Sequence, residues 1–293
     1  MESMHNYLDI RTLLFVVSII GLVICLSFAY ALATRRTYAG FSAWTISSFA
    51  GFLGLLLVSF RGVVPDVISI IAGGALIVSA VVFVAYGLEL FLGRPARVRQ
   101  YGLLMILTVF GLLCFTYLSP SVNARIMIVS GSIVVINLWC AFLVWKGVPK
   151  LLGVANRFLT AAFMMAAVLN AIRFALAAFF DPAIPDLMAA SRLHAVSLLL
   201  MTGVHIFVML GLLLLNFLRV EQDLKGSLDE IRILRGIIPI CSACKKVRDD
   251  HGAWKQIESY IRDHSEAQFS HGICPDCAHR LYPDYHDTKN NDF

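Results

Sequence analysis

Seven stretches of this chain are apolar for long enough to cross a bilayer, and that repetition limits the fold more than any other feature. A hydrocarbon core needs about 20 consecutive apolar residues in a helix. Such runs lie near residues 8–33, 41–60, 67–92, 101–119, 122–145, 157–180 and 189–218. With 59% hydrophobic and only 15% charged residues, the chain also departs from the composition of water-soluble domains. The first run is too long for a cleaved signal peptide, and its flanking charge sits mostly after it. Because backbone groups in lipid must be paired within each segment, the expectation is an all-α membrane protein, a seven-transmembrane helix bundle over residues 1–215.

Charge tells the two halves apart. Residues 1–215 carry a net +7 and residues 216–293 a net −2, so the basic total is no footprint of nucleic acid, and no nucleic-acid partner is expected. Arg35 and Arg36 follow the first run, Arg94, Arg97 and Arg99 the third, and Lys146, Lys150 and Arg157 the fifth. The opposite side holds Arg11, Arg61, Arg125 and Arg192, one per segment. Lys and Arg beside the spans mark the cytoplasmic face. The N-terminus is therefore predicted outside and the C-terminus in the cytoplasm.

Ionisable groups inside a membrane are costly and usually serve function. Arg173 lies in the sixth run, about 24 Å along the helix from Arg157 at ~1.5 Å per residue, and three residues from Asn170. His194 and His205, three turns apart on the seventh run, share a face. Asn170, Arg173, His194 and His205, with Tyr117, make a candidate outer-side cavity for a small anionic ligand. The alternative reading has Arg173 snorkelling, or pairing with Asp181 and Asp186. A retinal protein is excluded, since no lysine lies between Lys150 and Lys225. His194 and His205 stand roughly 16 Å apart along one helix and cannot ligate one haem iron together. Cys25, Cys114 and Cys140 read as small apolar core residues.

Beyond Asn216 a heptad frame places Phe217, Leu224, Ile231 and Ile238 at a, and Val220, Ser227 and Leu234 at d. Residues 216–238 are thus a juxtamembrane helix, either a short parallel coiled coil that makes a homodimer through 217–238 or an amphipathic helix docked on its own bundle. Residues 239–284 carry Cys241-Ser-Ala-Cys244 and Cys274-Pro-Asp-Cys277. Two CxxC knuckles suit a closed tetrahedral zinc site with sulfur–metal distances of ~2.3 Å, and a reducing cytosol disfavours disulfides. An iron–sulfur cluster uses the same ligand count and is the lesser alternative. His251, His264, His271 and His279 read as surface groups. The stretch 253–264 is predicted as one amphipathic helix presenting Trp254, Ile257, Tyr260 and Ile261. Pro275 occupies a favoured helix start, an order similar to treble-clef zinc fingers. Residues 285–293 are read as a disordered tail.

The run IIPICSACKKVRDDHGAWKQIESYI, followed by FSHGICPDCAHRLYPD, resembles a small cysteine module at the C-termini of bacterial signalling proteins, among them sensor histidine kinases, PAS-containing proteins and response-regulator proteins. The resemblance covers residues 236–284. It implies a signalling context in a bacterial inner membrane, a cytoplasmic signalling partner, and a ligand role for Cys241, Cys244, Cys274 and Cys277. The membrane half resembles seven-helix bacterial sensor domains only generically. No P-loop, phosphoacceptor helix with a catalytic partner domain, GGDEF-like run, HExxH or nucleophile elbow is present, so the chain is expected not to be an enzyme. The expected function is an integral membrane sensor or receptor relaying a signal to a partner through a zinc-binding tail. A small transporter or channel regulated by that tail is the alternative.

Overall fold

Each of the seven apolar runs is a helix. In a computed structural model, which describes residues 10–147, 153–180, 192–235, 238–249 and 252–282 (backbone alone at 153–155, 180, 192–195 and 229–235), they are α1 (Ile10–Thr34), α2 (Phe41–Ser59), α3 (Gly73–Phe91), α4 (Val98–Leu113), α5 (Val122–Gly147), α6 (Gly153–Ala175) and α7 (Arg192–Arg235). All seven are long and apolar enough to cross a bilayer. Three of them are extended by a π-helical turn, at Val67–Ala72, Cys114–Leu118 and Leu176–Phe180. The juxtamembrane segment is no separate element, because α7 runs unbroken for 44 residues. The chain divides into two units after Glu221, and the tail 285–293, expected to be disordered, lies outside the described residues.

Hydrogen bonds between helix ends show which ends lie together. Arg11 Nη2 donates to Arg61 O at 3.0 Å, and Asn123 Nδ2 to Ala177 O at 2.9 Å. At the other end, Tyr38 N donates to Asn216 Oδ1 at 3.0 Å, and Arg219 Nη1 to Phe91 O at 2.6 Å. These two ends are called the Arg61 end and the Asn216 end. All three π-helical turns fall at the Arg61 end.

Packing at the Asn216 end is close and aromatic. Gly40 and Gly87 bring α2 and α3 together so tightly that a Cβ on Gly87 would strike Trp44 Nε1 and come within 2.8 Å of Gly40 O. Gly40 also sits at φ +94, where a side chain is strained. Small residues are what allow such approach between apolar helices. Trp44 Nε1 and Ser47 Oγ then donate across to Val84 O (3.3 Å) and Ala80 O (2.7 Å). A chain of rings follows: Phe28 on Phe41 at 5.3 Å, Phe41 on Trp44 at 6.0 Å, Trp44 on Phe91 at 5.4 Å, Phe91 on Tyr38 at 5.9 Å. It ends under the Arg219 guanidinium, 4.3 Å from the Tyr38 ring and 4.8 Å from that of Phe91. Buried Glu89 accepts from Arg97 N (2.9 Å) and Trp139 Nε1 (3.1 Å), joining the end of α3 to α4 and α5.

In the second unit, β1 (Val247–Arg248) pairs antiparallel with β2 (Trp254–Lys255), followed by α8 (Ile257–His264) and α9 (Pro275–Leu281). The helix expected over 253–264 therefore begins only at Ile257, and Trp254 belongs to a strand. The reason is a turn that the helical spacing of Trp254, Ile257 and Ile261 concealed. Asp249 N donates to Ala253 O at 2.8 Å, Asp249 Oδ1 accepts from Ala253 N at 2.8 Å, and Gly252 adopts φ +81. Among the described residues of this unit, Val247 is the one buried apolar side chain.

Gly87→Ala is expected to destabilise the bundle by about 1–3 kcal/mol, the usual cost of overpacking, read as a lower unfolding temperature of the purified protein. Gly102→Ala, where a Cβ meets nothing within 4 Å, should leave that temperature unchanged or raise it slightly.

Candidate functional site

Helix spacing puts polar side chains of several spans around one interior space. A cavity of about 260 Å³ is lined by residues of all seven helices. Asn170 and Arg173 of α6 and His205 of α7 line it together. So do Arg61, Arg125, Ser130, Asn137 and Thr202, which the sequence reading left out of the site. Among the described residues, no Asp or Glu lines it. His194 has no described side chain, and Asp181 and Asp186 lie outside the described residues. Tyr117 does not belong to the site, being 56% exposed and absent from the lining. It sits in the π-helical turn Cys114–Leu118, and an α-helical register at about 100° per residue already places it on the side of α4 away from buried Thr108 and Leu112.

Most of the lining polar groups are committed to their own helices. Asn170 Nδ2 donates to Ala166 O (2.9 Å), Asn137 Nδ2 to Ile133 O (3.0 Å), Thr202 Oγ1 to Leu198 O (2.8 Å) and Arg125 Nε to Ser121 O (3.3 Å). Arg173 differs. Among the described residues, its Nη1 meets the Met201 thioether at 3.9 Å and its buried Nε has no hydrogen-bond partner. A thioether is a weak acceptor. The guanidinium thus faces an apolar cavity with no carboxylate paired to it among the described residues. Leaving such a charge unmatched costs several kcal/mol by the general behaviour of buried ions, which makes Arg173 a group awaiting an acceptor.

The cysteines form two knuckles in the second unit. Cys241–Cys244 caps a turn in which Cys241 N donates to Lys246 O at 2.8 Å and Lys245 N to Cys241 O at 2.9 Å. Lys245 takes φ +57 to close it. Cys274 is the N-cap of α9, with Pro275 at the helix start and Cys277 in the first turn. Backbone N–H groups of Cys244 and Ala243 hold the Cys241 thiol below its ordinary range, and the backbone N–H of Cys277 chiefly does the same for Cys274. These are thiolate-favouring pockets. Among the described residues, no three His, Cys, Asp or Glu side chains stand close enough together to hold one metal ion; the cysteines are met as two pairs. Lys255 lies between Asp249 (3.4 Å) and Asp263 (3.5 Å), whose hydrogen bonds push its ammonium pKa up.

No family model matches the chain, and no curated protein or solved structure matches it.

Arg173→Met is expected to raise the unfolding temperature of the ligand-free protein by a few degrees, because it removes a buried charge that lacks a partner. A fall in that temperature would mean that the guanidinium is already satisfied. Thermal unfolding in detergent, beside Arg125→Met as a control at a hydrogen-bonded arginine, decides between the two.

Proposed function

We propose that this protein is an integral membrane receptor of a bacterial inner membrane, with its N-terminus outside and its C-terminus in the cytoplasm. A small anion held in the bundle changes the state of α7, and the cysteine tail passes that change to a cytoplasmic signalling protein. The observation that carries this reading is the continuity of α7. The helix that lends Leu198, Met201, Thr202 and His205 to the cavity is held at Asn216 and Arg219 by the loop before α2 and the end of α3. It then continues unbroken to Arg235. Lys and Arg concentrated at the Asn216 end support the orientation.

The donor set of the tail fits a zinc ion. Four thiols on two knuckles match the ligand number and softness that zinc prefers. A unit whose described residues include one buried apolar side chain draws on some other source of stability. Cys241, Cys244, Cys274 and Cys277 would hold the ion, whose contribution is structural rather than chemical. Phe217 and Leu224 are 40% and 59% exposed, as either a homodimer through 217–238 or a docked partner requires. The resemblance of 236–284 to the cysteine module of bacterial signalling proteins supports a protein partner for the tail.

Metal analysis of the full-length protein is expected to find about one zinc per chain, the stoichiometry of a four-thiolate site. Cys241→Ser together with Cys274→Ser should abolish it. A labelling enzyme fused after Phe293 should biotinylate cytoplasmic signalling proteins, and the same double variant should lose them. Labelling of periplasmic proteins instead would overturn the orientation and with it the receptor reading. Uptake of solute into vesicles would favour the transporter alternative.

A further inference from the structure

The shape of the cavity says more about its occupant than its charge alone. Its lining runs along α1 from Leu14 to Ile24, along α6 from Phe163 to Arg173, and along α7 from Leu198 to Val208. Each of these spans ten residues, about 15 Å of helix. A volume of about 260 Å³ whose lining extends over that length has room for a short chain. At about 30 Å³ for each water-sized group it accommodates roughly nine of them. A cavity of about 150 Å³ already holds benzene, so the space is large enough to be used.

The walls differ in chemistry. On α1 the lining is aliphatic, with Leu14, Val17, Ile20 and Ile24 facing the space. The α6 and α7 side supplies Arg173, and His205 one turn from Met201 toward the Asn216 end. Asn170 and Thr202 on that side already donate to their own helices. Arg173 Nε, without an acceptor among the described residues, therefore stands at the same space as the aliphatic α1 wall. Inorganic phosphate or another compact anion would leave most of that space empty. A purely apolar ligand would leave Arg173 Nε without an acceptor.

We propose that the bundle cavity is a binding site for an amphiphilic monoanion with one unbranched apolar chain of about eight carbons, its head group on Arg173 and its chain along α1. This rests on the receptor reading for its consequence in the cell, while the site itself stands on the cavity. A carboxylate head accepts two parallel N–H bonds from a guanidinium, a pairing stronger than a neutral hydrogen bond, and the chain replaces water or void along the aliphatic wall. A free fatty acid and the anionic head and chain of a membrane phospholipid share this chemistry.

Thermal unfolding of the full-length protein in nanodiscs of neutral phosphatidylcholine tests the proposal, with octanoate, octanol and acetate titrated as probes. Octanoate is expected to stabilise at a half-saturating concentration at least about tenfold below those of octanol and acetate, as a charge-assisted pair plus a buried chain requires. Arg173→Gln should erase that advantage. Ile24→Phe, which fills the aliphatic end and keeps the arginine, should move the preference from octanoate to butyrate, and it decides the matter if the arginine variant does not fold. Nanodiscs containing phosphatidylglycerol that give the same Arg173-dependent stabilisation without octanoate would support the site and assign its occupant to the membrane. Octanol equal to octanoate, acetate equal to octanoate, or wild-type affinity in Arg173→Gln would each overturn the proposal. Octanoate binding in a protein whose tail recovers no signalling partner would instead sink the receptor reading and leave the site standing.

Discussion

Among the described residues, an arginine whose buried Nε has no acceptor stands inside a bundle of apolar helices, at a space that all seven helices line. Inside such a bundle, polar groups are tolerated when they bond to something close at hand, and nearly every buried one here does. Ser18, Thr116, Asn137 and Asn170 each donate to a carbonyl one turn back on their own helix. Glu89 is ringed by donors. Among the described residues Tyr101 Oη and Arg173 Nε are the exceptions. The Asn216 end is held by glycine-mediated contact of α2 with α3 and by an aromatic chain from Phe28 to Arg219. One end of the bundle is built for stability. The other, with its three π-helical turns and its arginines, is built around a space, and π-helical turns are often found where function needs irregular backbone.

Much of this was legible in the sequence, and the residues show why. The seven helices followed from apolar runs, because bilayer thickness fixes a length that chance seldom reaches. Asn170, Arg173 and His205 stood out because polar groups in such runs have few structural excuses. Arg61 and Arg125 were read only as marks of topology. Each lies at a helix end, where an arginine usually meets water, and nothing in its own neighbourhood says that folding turns it toward a shared space. Tyr117 failed in the opposite sense. A tyrosine near the end of an apolar run reads as a polar lining group, yet the inward side of α4 is set by Thr108 and Leu112 and Tyr117 lies away from it at about 100° per residue.

The tail shows a different boundary between pattern and structure. Trp254, Ile257 and Ile261 obey helical spacing, yet Trp254 pairs with Arg248 in a strand. The deciding signal was the Asp-Asp-His-Gly sequence at 249–252, a turn former, which outweighed a periodicity of three residues. The CxxC knuckles were legible because their geometry is local: four residues close the turn and aim backbone N–H groups at the first sulfur. Whether two such turns converge is a long-range property, which spacing alone does not encode.

The unmatched arginine also fixes the direction in which a ligand can act. A ligand shifts an equilibrium only by the difference in its affinity for the two states. On the proposed reading, an anion on Arg173 favours the arrangement that holds this side chain against Met201 over one that leaves it in water. His205 and Asn216 lie eleven residues apart on α7, three turns along one face. A change in how α7 meets the cavity is therefore presented to the same side of the helix that Tyr38 and Phe91 grip. Of the two contacts, the grip is the stronger: a 2.6 Å bond to a carbonyl, two ring faces and a buried amide hold it. The cavity side has a long contact to sulfur. On the proposed receptor reading, a ligand-driven change at the cavity passes along α7 only insofar as the Asn216 grip turns with it.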